Sequence, residues 1–263
     1  MITLLQAVFM RMLIGHVIVD FYLQPDRRVE QKRAKGWKSR ELYIHSFISA
    51  AFVFLFTGIY SAYWIFGLVF LSHVLIDRAK VFFEQKYDGC MVHIGDQIAH
   101  IVILLVITLM LQSIVSQLDI EHIPGLLSNP ALLAVIIAYL LILTPSGIFI
   151  KKLIQPFKPH SQQSENNSVK LAEAGRKIGY LERVLVLTFV LLQQYAAIGF
   201  LITAKSIFRF KDDERHLVEY YLFGTFLSMT IVILIGLVVV FLLDVMWVKS
   251  VEAIMSFLGA FSY

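Results

Sequence analysis

Residues 95–117 read GDQIAHIVILLVITLMLQSIVSQ. The run opens on Asp96 and His100, then continues almost without a polar side chain to Leu111. About 20 mostly apolar residues in a helix cross the hydrocarbon core of a bilayer, and this run is long enough. An ionisable pair at the mouth of such a helix is costly and needs a physical reason. The i, i+4 spacing puts both side chains on one helix face, about 5–6 Å apart.

Working outward, comparable apolar runs lie at 3–23, 41–60, 62–80, 131–150, 181–203 and 218–247. Across the 263 residues, 58% are apolar and 16% are charged. A soluble domain carries about 45–50% and about 25%. The composition excludes a disordered chain, a disulfide scaffold and a nucleic-acid-binding domain. The net charge is only +4, and the single cysteine, Cys90, permits neither an internal disulfide nor a thiolate metal cage. The expected fold is all-α, a polytopic transmembrane helical bundle of about seven spans. The first run is not a cleavable signal peptide, because Arg11, His16 and Asp20 interrupt it. A kink is expected near Gly236, and 250–263 are expected to lie along the interface as an amphipathic tail.

The loops orient the chain. Residues 24–40 hold Arg27, Arg28, Lys32, Arg33, Lys35, Lys38 and Arg40. Arg78, Lys80 and Lys86 follow the third run, and 151–177 hold six further Lys and Arg. The alternate loops near 61 and over 118–130 have none. The positive-inside rule then places the N-terminus outside and the basic loops in the cytoplasm. Lys205, Arg209, Lys211 and Arg215 break the pattern, unless the sixth run does not cross fully. The polar stretch at 153–170 reads as a flexible cytoplasmic linker. It divides a five-helix unit, 1–152, from a two-helix unit, 171–263.

The ionisable pair of 95–117 is not alone. His16 and Asp20, Glu41 and His45, and His73 and Asp77 share its spacing. Runs of opposite direction carry the two residue types in opposite order. In each run the acid therefore lies nearer the cytoplasm and the imidazole one turn deeper. All eight fall within about 12 Å of a cytoplasmic helix end at 1.5 Å per residue. An antiparallel four-helix bundle would bring them together, as bundles do when they hold metals.

His16, Asp20, His45, His73, Asp77, Asp96 and His100 are the candidate metal ligands. Glu41 sits at the water boundary and is read as a helix cap. Seven ligands exceed the four of one tetrahedral zinc, so either two ions or one ion with supporting carboxylates fits. Nitrogen and oxygen donors suit Zn first, with Mn or Fe as alternatives. Gln24 and Gln97 extend the polar runs. Lys80, at i+7 from His73, either holds an anionic substrate group or snorkels to the surface. In the C-terminal unit, Gly175 and Gly179 suggest close helix packing. Glu182, Arg183, Lys205, Ser206, Arg209, Glu219 and Tyr220 suggest ion pairs or interfacial anchoring.

The sequence Gly15-His16, Asp20-Phe21, Leu23-Gln24, then His45, then His73, Asp77 and Lys80, then Asp96-Gln97 and His100, resembles a bacterial integral-membrane family known as domain-of-unknown-function family 3307. Gly175-Arg176 to Arg183, Ala204-Lys205-Ser206 and Glu219-Tyr220 to Gly224-Thr225 resemble the tail of its longer members. The resemblance implies the bacterial inner membrane and no particular activity. A remoter similarity, to membrane-bound metal-dependent hydrolases, rests on His and Asp at i, i+4 in membrane helices.

Three functions are expected to compete. The first is a metal-dependent hydrolase acting on a lipid or lipid-linked phosphoester, with Asp20 or Asp96 as general base and Lys80 on the substrate. The second is a divalent metal-ion transporter, although the site lies at one end and no internal repeat is visible. The third is a scaffold whose polar network fixes helix packing. Membrane lipid is the expected partner and nucleic acid is not. The sequence leaves open a homo-oligomer or a protein partner.

Overall fold

The computed structural model describes residues 2–115, 128–157, 165–209 and 215–259, and no strand occurs among them. The chain divides into two units, Met1–Leu140 and Leu141–Tyr263. The division falls ahead of the expected linker, residues 158–164 of which lie outside the described residues.

The first unit is a four-helix bundle with a strap. Its helices are α1 (Ile2–Tyr22), α2 (Asp26–Lys35), α3 (Arg40–Thr57), α4 (Trp64–Phe83) and α5 (Gly89–Met110), followed by a single turn, α6 (Gln112–Val115). Helix α1 packs on α3 and α5, α3 on α4, and α4 on α5, which closes a ring. One end of the ring is an apolar core that includes Val8, Met12, Val53, Ile65, Ile107 and Leu111. Arg11 is buried there, and its guanidinium donates to the carbonyl of Thr57 at the end of α3. Gly15 permits close packing one residue before His16: a Cβ on it would lie 3.1 Å from the carbonyl oxygen of Phe52. The loop into α5 is set by Asp88, whose carboxylate accepts from the amides of Cys90 and Met91.

Helix α2 lies in the basic stretch that the sequence reading treats as a loop. Its residues, DRRVEQKRAK, are mostly good helix formers. Asp26 in its first turn and Lys32, Arg33 and Lys35 in its last also suit the helix dipole. A 3-10 turn, Gly36–Lys38, leads from it into α3.

The division falls within α7 (Pro130–Ile142), and a break at Leu143 separates that helix from α8 (Thr144–Ile154). Pro145 lacks the amide that would continue the helix. The sixth expected run is corrected: 181–203 is not one helix. It is shared by α9 (Glu165–Leu191) and α10 (Tyr195–Arg209), which pack together around a turn in which Gln193 has φ 57°. Lys205 on α10 ion-pairs with Glu182 on α9, so α10 folds back along α9. The last helix, α11 (Arg215–Gly259), is unbroken. Gly236 is a contact point in it. A Cβ there would meet Val190 Cγ1 of α9 at 2.6 Å. The side chains of the expected tail at 250–263 lie outside the described residues.

Among the described residues, four helical stretches are long and apolar enough to cross a membrane: Leu4–Tyr22, Gly89–Met110, Pro130–Phe157 and Leu222–Asp244. The expected count of about seven is not reached on this measure. Helix α3 starts on Arg40 and Glu41 and carries His45, while α4 carries Asp77, Arg78 and Lys80. The residues that make the polar cluster are those that lower the hydropathy of its helices. Helix α5 shows how they are accommodated. It buries His93, Asp96 and His100 and exposes Ile98, Ile101, Leu105 and Leu109. Polar side chains face inward and apolar ones outward, which suits a lipid surrounding.

Candidate metal centre

The end of the bundle opposite the apolar core gathers the ionisable pairs. In α1 and α4 they lie in the C-terminal half, and in α3 and α5 near the N-terminus. Antiparallel neighbours therefore bring all four to one level. The four imidazoles touch in series. His45 and His73 have ring centroids 4.9 Å apart, His73 and His100 4.2 Å, and His100 and His16 4.8 Å.

Asp20 enters this imidazole layer and does not stand above it. Its Oδ1 lies 3.4 Å from His45 Nε2, 3.5 Å from His73 Nε2 and 3.7 Å from His16 Nδ1. That oxygen is buried among the three imidazoles. His45 Nε2 and His73 Nε2 face one another at 3.0 Å. Two ligands bound about 2.0–2.1 Å from a tetrahedral zinc stand about 3.3 Å apart. The triangle Asp20 Oδ1, His45 Nε2, His73 Nε2 has edges of that size.

Two further triads could hold an ion. His16, His73 and His100 place ligand atoms within 4.8 Å of one another, as do Asp77, Asp96 and His100. The seven ligand candidates therefore form one connected cluster. Asp96 Oδ1 and His100 Nε2 lie 3.6 Å apart and both are buried. Gln97 bridges the parts. Its Nε2 donates to Asp96 Oδ2 at 3.1 Å and Asp20 Oδ2 at 3.5 Å, and its Oε1 faces His16 Nε2 at 3.4 Å.

Two lysines complete the cluster. Lys80 Nζ, on α4, donates to Asp96 Oδ2 at 2.6 Å. Lys32 Nζ donates to Asp77 Oδ2 at 2.5 Å. Lys32 is the residue that sequence reasoning missed, having taken it as part of a topology signal. It is the one buried residue of α2, at 5% exposure. Nothing in a run of seven basic residues marks which one turns inward. The helical period offered a partial signal, since Val29 and Lys32 share a face.

The remaining candidates lie outside the ligand triads. Glu41 pairs with Arg28 at 3.3 Å, and its side chain is part exposed. His93 packs edge-on against Phe21. The side chains of His122, His160, His216, Arg209 and Glu219 lie outside the described residues. In the second unit, Arg183 Nε donates to the carbonyl of Ile142 at 2.5 Å and Nη2 to that of Leu143 at 3.3 Å. It serves the carbonyls at the α7–α8 break. Gly179 makes room for that guanidinium, because a Cβ there would lie 3.3 Å from Arg183 Nη1.

Outside the bundle core, Arg33 forks onto Glu84 at 2.8 and 3.0 Å. That hydrogen-bonded carboxylate holds the guanidinium pKa above its ordinary value.

Residues 8–124 match the model of a family described as protein of unknown function (DUF3307). The matched segment contains every residue of the cluster. No curated protein and no solved structure matches the chain.

Proposed function

We propose that this chain is an integral membrane metalloprotein that hydrolyses a lipid or lipid-linked phosphoester, with its centre in the α1–α3–α4–α5 bundle. One observation carries the reading. A buried carboxylate oxygen, Asp20 Oδ1, lies 3.4 and 3.5 Å from His45 Nε2 and His73 Nε2, which are themselves 3.0 Å apart, so three donor atoms stand at ligand–ligand spacing. Three protein ligands with an open fourth position are the pattern of a catalytic zinc site. Manganese or iron would fit the same donors.

A divalent ion held there supplies Lewis-acid activation of a phosphoryl oxygen and of water. Asp96, whose Oδ1 lies 3.6 Å from His100 Nε2, takes the proton from the attacking water. The water oxygen bonds to phosphorus, the ester P–O bond breaks, and the proton passes to the leaving alkoxide. Lys80 neutralises charge on the phosphoryl oxygens. The position at one end of the bundle favours hydrolysis over transport, for transport sites lie near the midplane between repeats. The basic loops, α2 included, support a site at the cytoplasmic leaflet with the N-terminus outside, and the family resemblance supports a bacterial inner membrane. Labelling of a cysteine at Lys38 from the cytoplasm only tests that orientation. Ser39 is a poor labelling site, being 1% exposed.

The function is tested by purifying the full chain without chelator. Transition-metal content is measured first, then release of p-nitrophenol from chromogenic phosphomonoesters and phosphodiesters. His73→Ala and His100→Ala each remove a residue common to two triads and should lower the metal content most. Glu41→Gln should leave it unchanged. Protein without transition metal would sink the proposal in favour of a scaffold. Metal-loaded protein that moves zinc into proteoliposomes and cleaves no ester would sink it in favour of transport.

A further inference from the structure

Lys32 reaches the centre from a helix that is not part of the bundle ring. Its ammonium and that of Lys80 each sit on a carboxylate whose other neighbours are candidate ligands. The charges around the centre can be counted. Asp20, Asp77 and Asp96 contribute three negative charges, and Lys32 and Lys80 two positive ones. The imidazoles are neutral when they bind a metal. Nearby, Arg28 is cancelled by Glu41 and Arg33 by Glu84, while Arg78 stacks over Trp37 and ion-pairs with no cluster carboxylate among the described residues. A divalent ion turns the net −1 of the cluster into +1.

An uncompensated charge in a buried, apolar surround is expensive. One negative charge on the ligand balances the site, whereas two overshoot it. A phosphodiester carries one charge, and a phosphomonoester above its second pKa carries nearly two. Lysine is a compact charge with three donors on a flexible stem, so it can exchange a carboxylate oxygen for a phosphate oxygen with little rearrangement. The two lysine ammonium groups are also the only side-chain cations among the described residues that pair with the cluster carboxylates.

We propose that the centre takes a singly charged phosphodiester, gripped by Lys32 and Lys80, and that Lys32 makes α2 part of the substrate site. This rests on the metallohydrolase reading and specifies its substrate class. Helix α2 then has to move for the ligand to enter, because Lys32 and Asp77 are 6% and 3% exposed.

The test uses binding, not turnover. Full-length protein in detergent is loaded with Co2+, and its visible absorption is titrated with diethyl phosphate or ethyl phosphate at a pH of about 8. Diethyl phosphate should bind about tenfold tighter, a difference of about 1.4 kcal/mol. Lys32→Met should keep its cobalt and weaken diester binding about tenfold, with partial rescue by Lys32→Arg. If Lys32→Met is unstable because Asp77 is left unpaired, Lys32→Met/Asp77→Asn removes both charges. Asparagine keeps a ligating amide oxygen at this candidate ligand, so the double variant should retain its cobalt; its net charge is also unchanged, so it should bind the diester more weakly yet still prefer it to the monoester. Equal or tighter binding of ethyl phosphate overturns the proposal. So does diester binding by the double variant within about twofold of wild type. Absence of bound cobalt in the wild-type protein fails the metal reading itself, and this inference with it. Phosphatidylglycerol in mixed micelles serves as a competitor. Stronger competition than from diethyl phosphate assigns the diester to a lipid, and equal competition assigns it to a free diester; either outcome supports the site.

Discussion

Lys32 and Asp77 are enclosed together, 2.5 Å apart, with side chains 6% and 3% exposed. Breaking one member of such a pair strands a charge in a low-dielectric site, which costs about 3–5 kcal/mol, whereas replacing both costs far less. Asp77→Asn should therefore lower the thermal unfolding midpoint of the solubilised protein well below that of Asp77→Asn/Lys32→Met. If the single and double variants unfold together, the pair does not hold α2. The same reasoning separates Lys32 from Arg33. The Arg33–Glu84 pair is half exposed on the arginine side, and surface pairs are worth about 0–1 kcal/mol.

At the scale of elements, the contact between α9 and α11 depends on a missing side chain. Gly236 lies where a Cβ would come within 2.6 Å of Val190 Cγ1 and 2.9 Å of Val190 Cβ. Gly236→Ala should destabilise the second unit by about 1–3 kcal/mol through overpacking. Adding Val190→Ala should recover part of the loss, measured again by thermal unfolding. The turn between α9 and α10 makes a second prediction. Tyr195–Ile207 has 13 residues, and a helix of that length rises about 20 Å against a core of about 30 Å. With Lys205 paired to Glu182, α10 returns toward the end from which α9 came. Cysteines at Lys177 and Lys205 should thus be labelled from the same face of the membrane. Labelling from opposite faces would restore a full crossing at 181–203. It would also leave Lys205 and Arg209 as an exception to the positive-inside rule.

For the whole molecule, the division into Met1–Leu140 and Leu141–Tyr263 leaves all seven candidate ligands, Lys32 and Lys80 in the first unit. A protease site inserted at 158–164 should therefore yield, after cleavage, an N-terminal fragment that keeps the metal. The metal content of the separated fragments checks this. Loss of metal on cleavage would mean that the second unit supplies a ligand or clamps the bundle.

The sequence by itself determined the helical class, the membrane-like composition and the seven candidate ligands of the cluster. Those properties are local: apolar run length, and a period that sets His and Asp on one face of each helix. The shared level of the four pairs was also legible, because alternating chain direction reverses their order. What tertiary structure decided was long-range. Asp20 enters the imidazole layer because α3 and α4 bring His45 and His73 against α1. Lys32 is buried because α2 folds over Asp77, and one lysine among seven basic residues carries no local mark of that contact. The split of 181–203 followed the same rule. Its apolar residues suit a continuous helix as well as a hairpin, and only the packing of α10 on α9 and the Glu182–Lys205 pair select the hairpin.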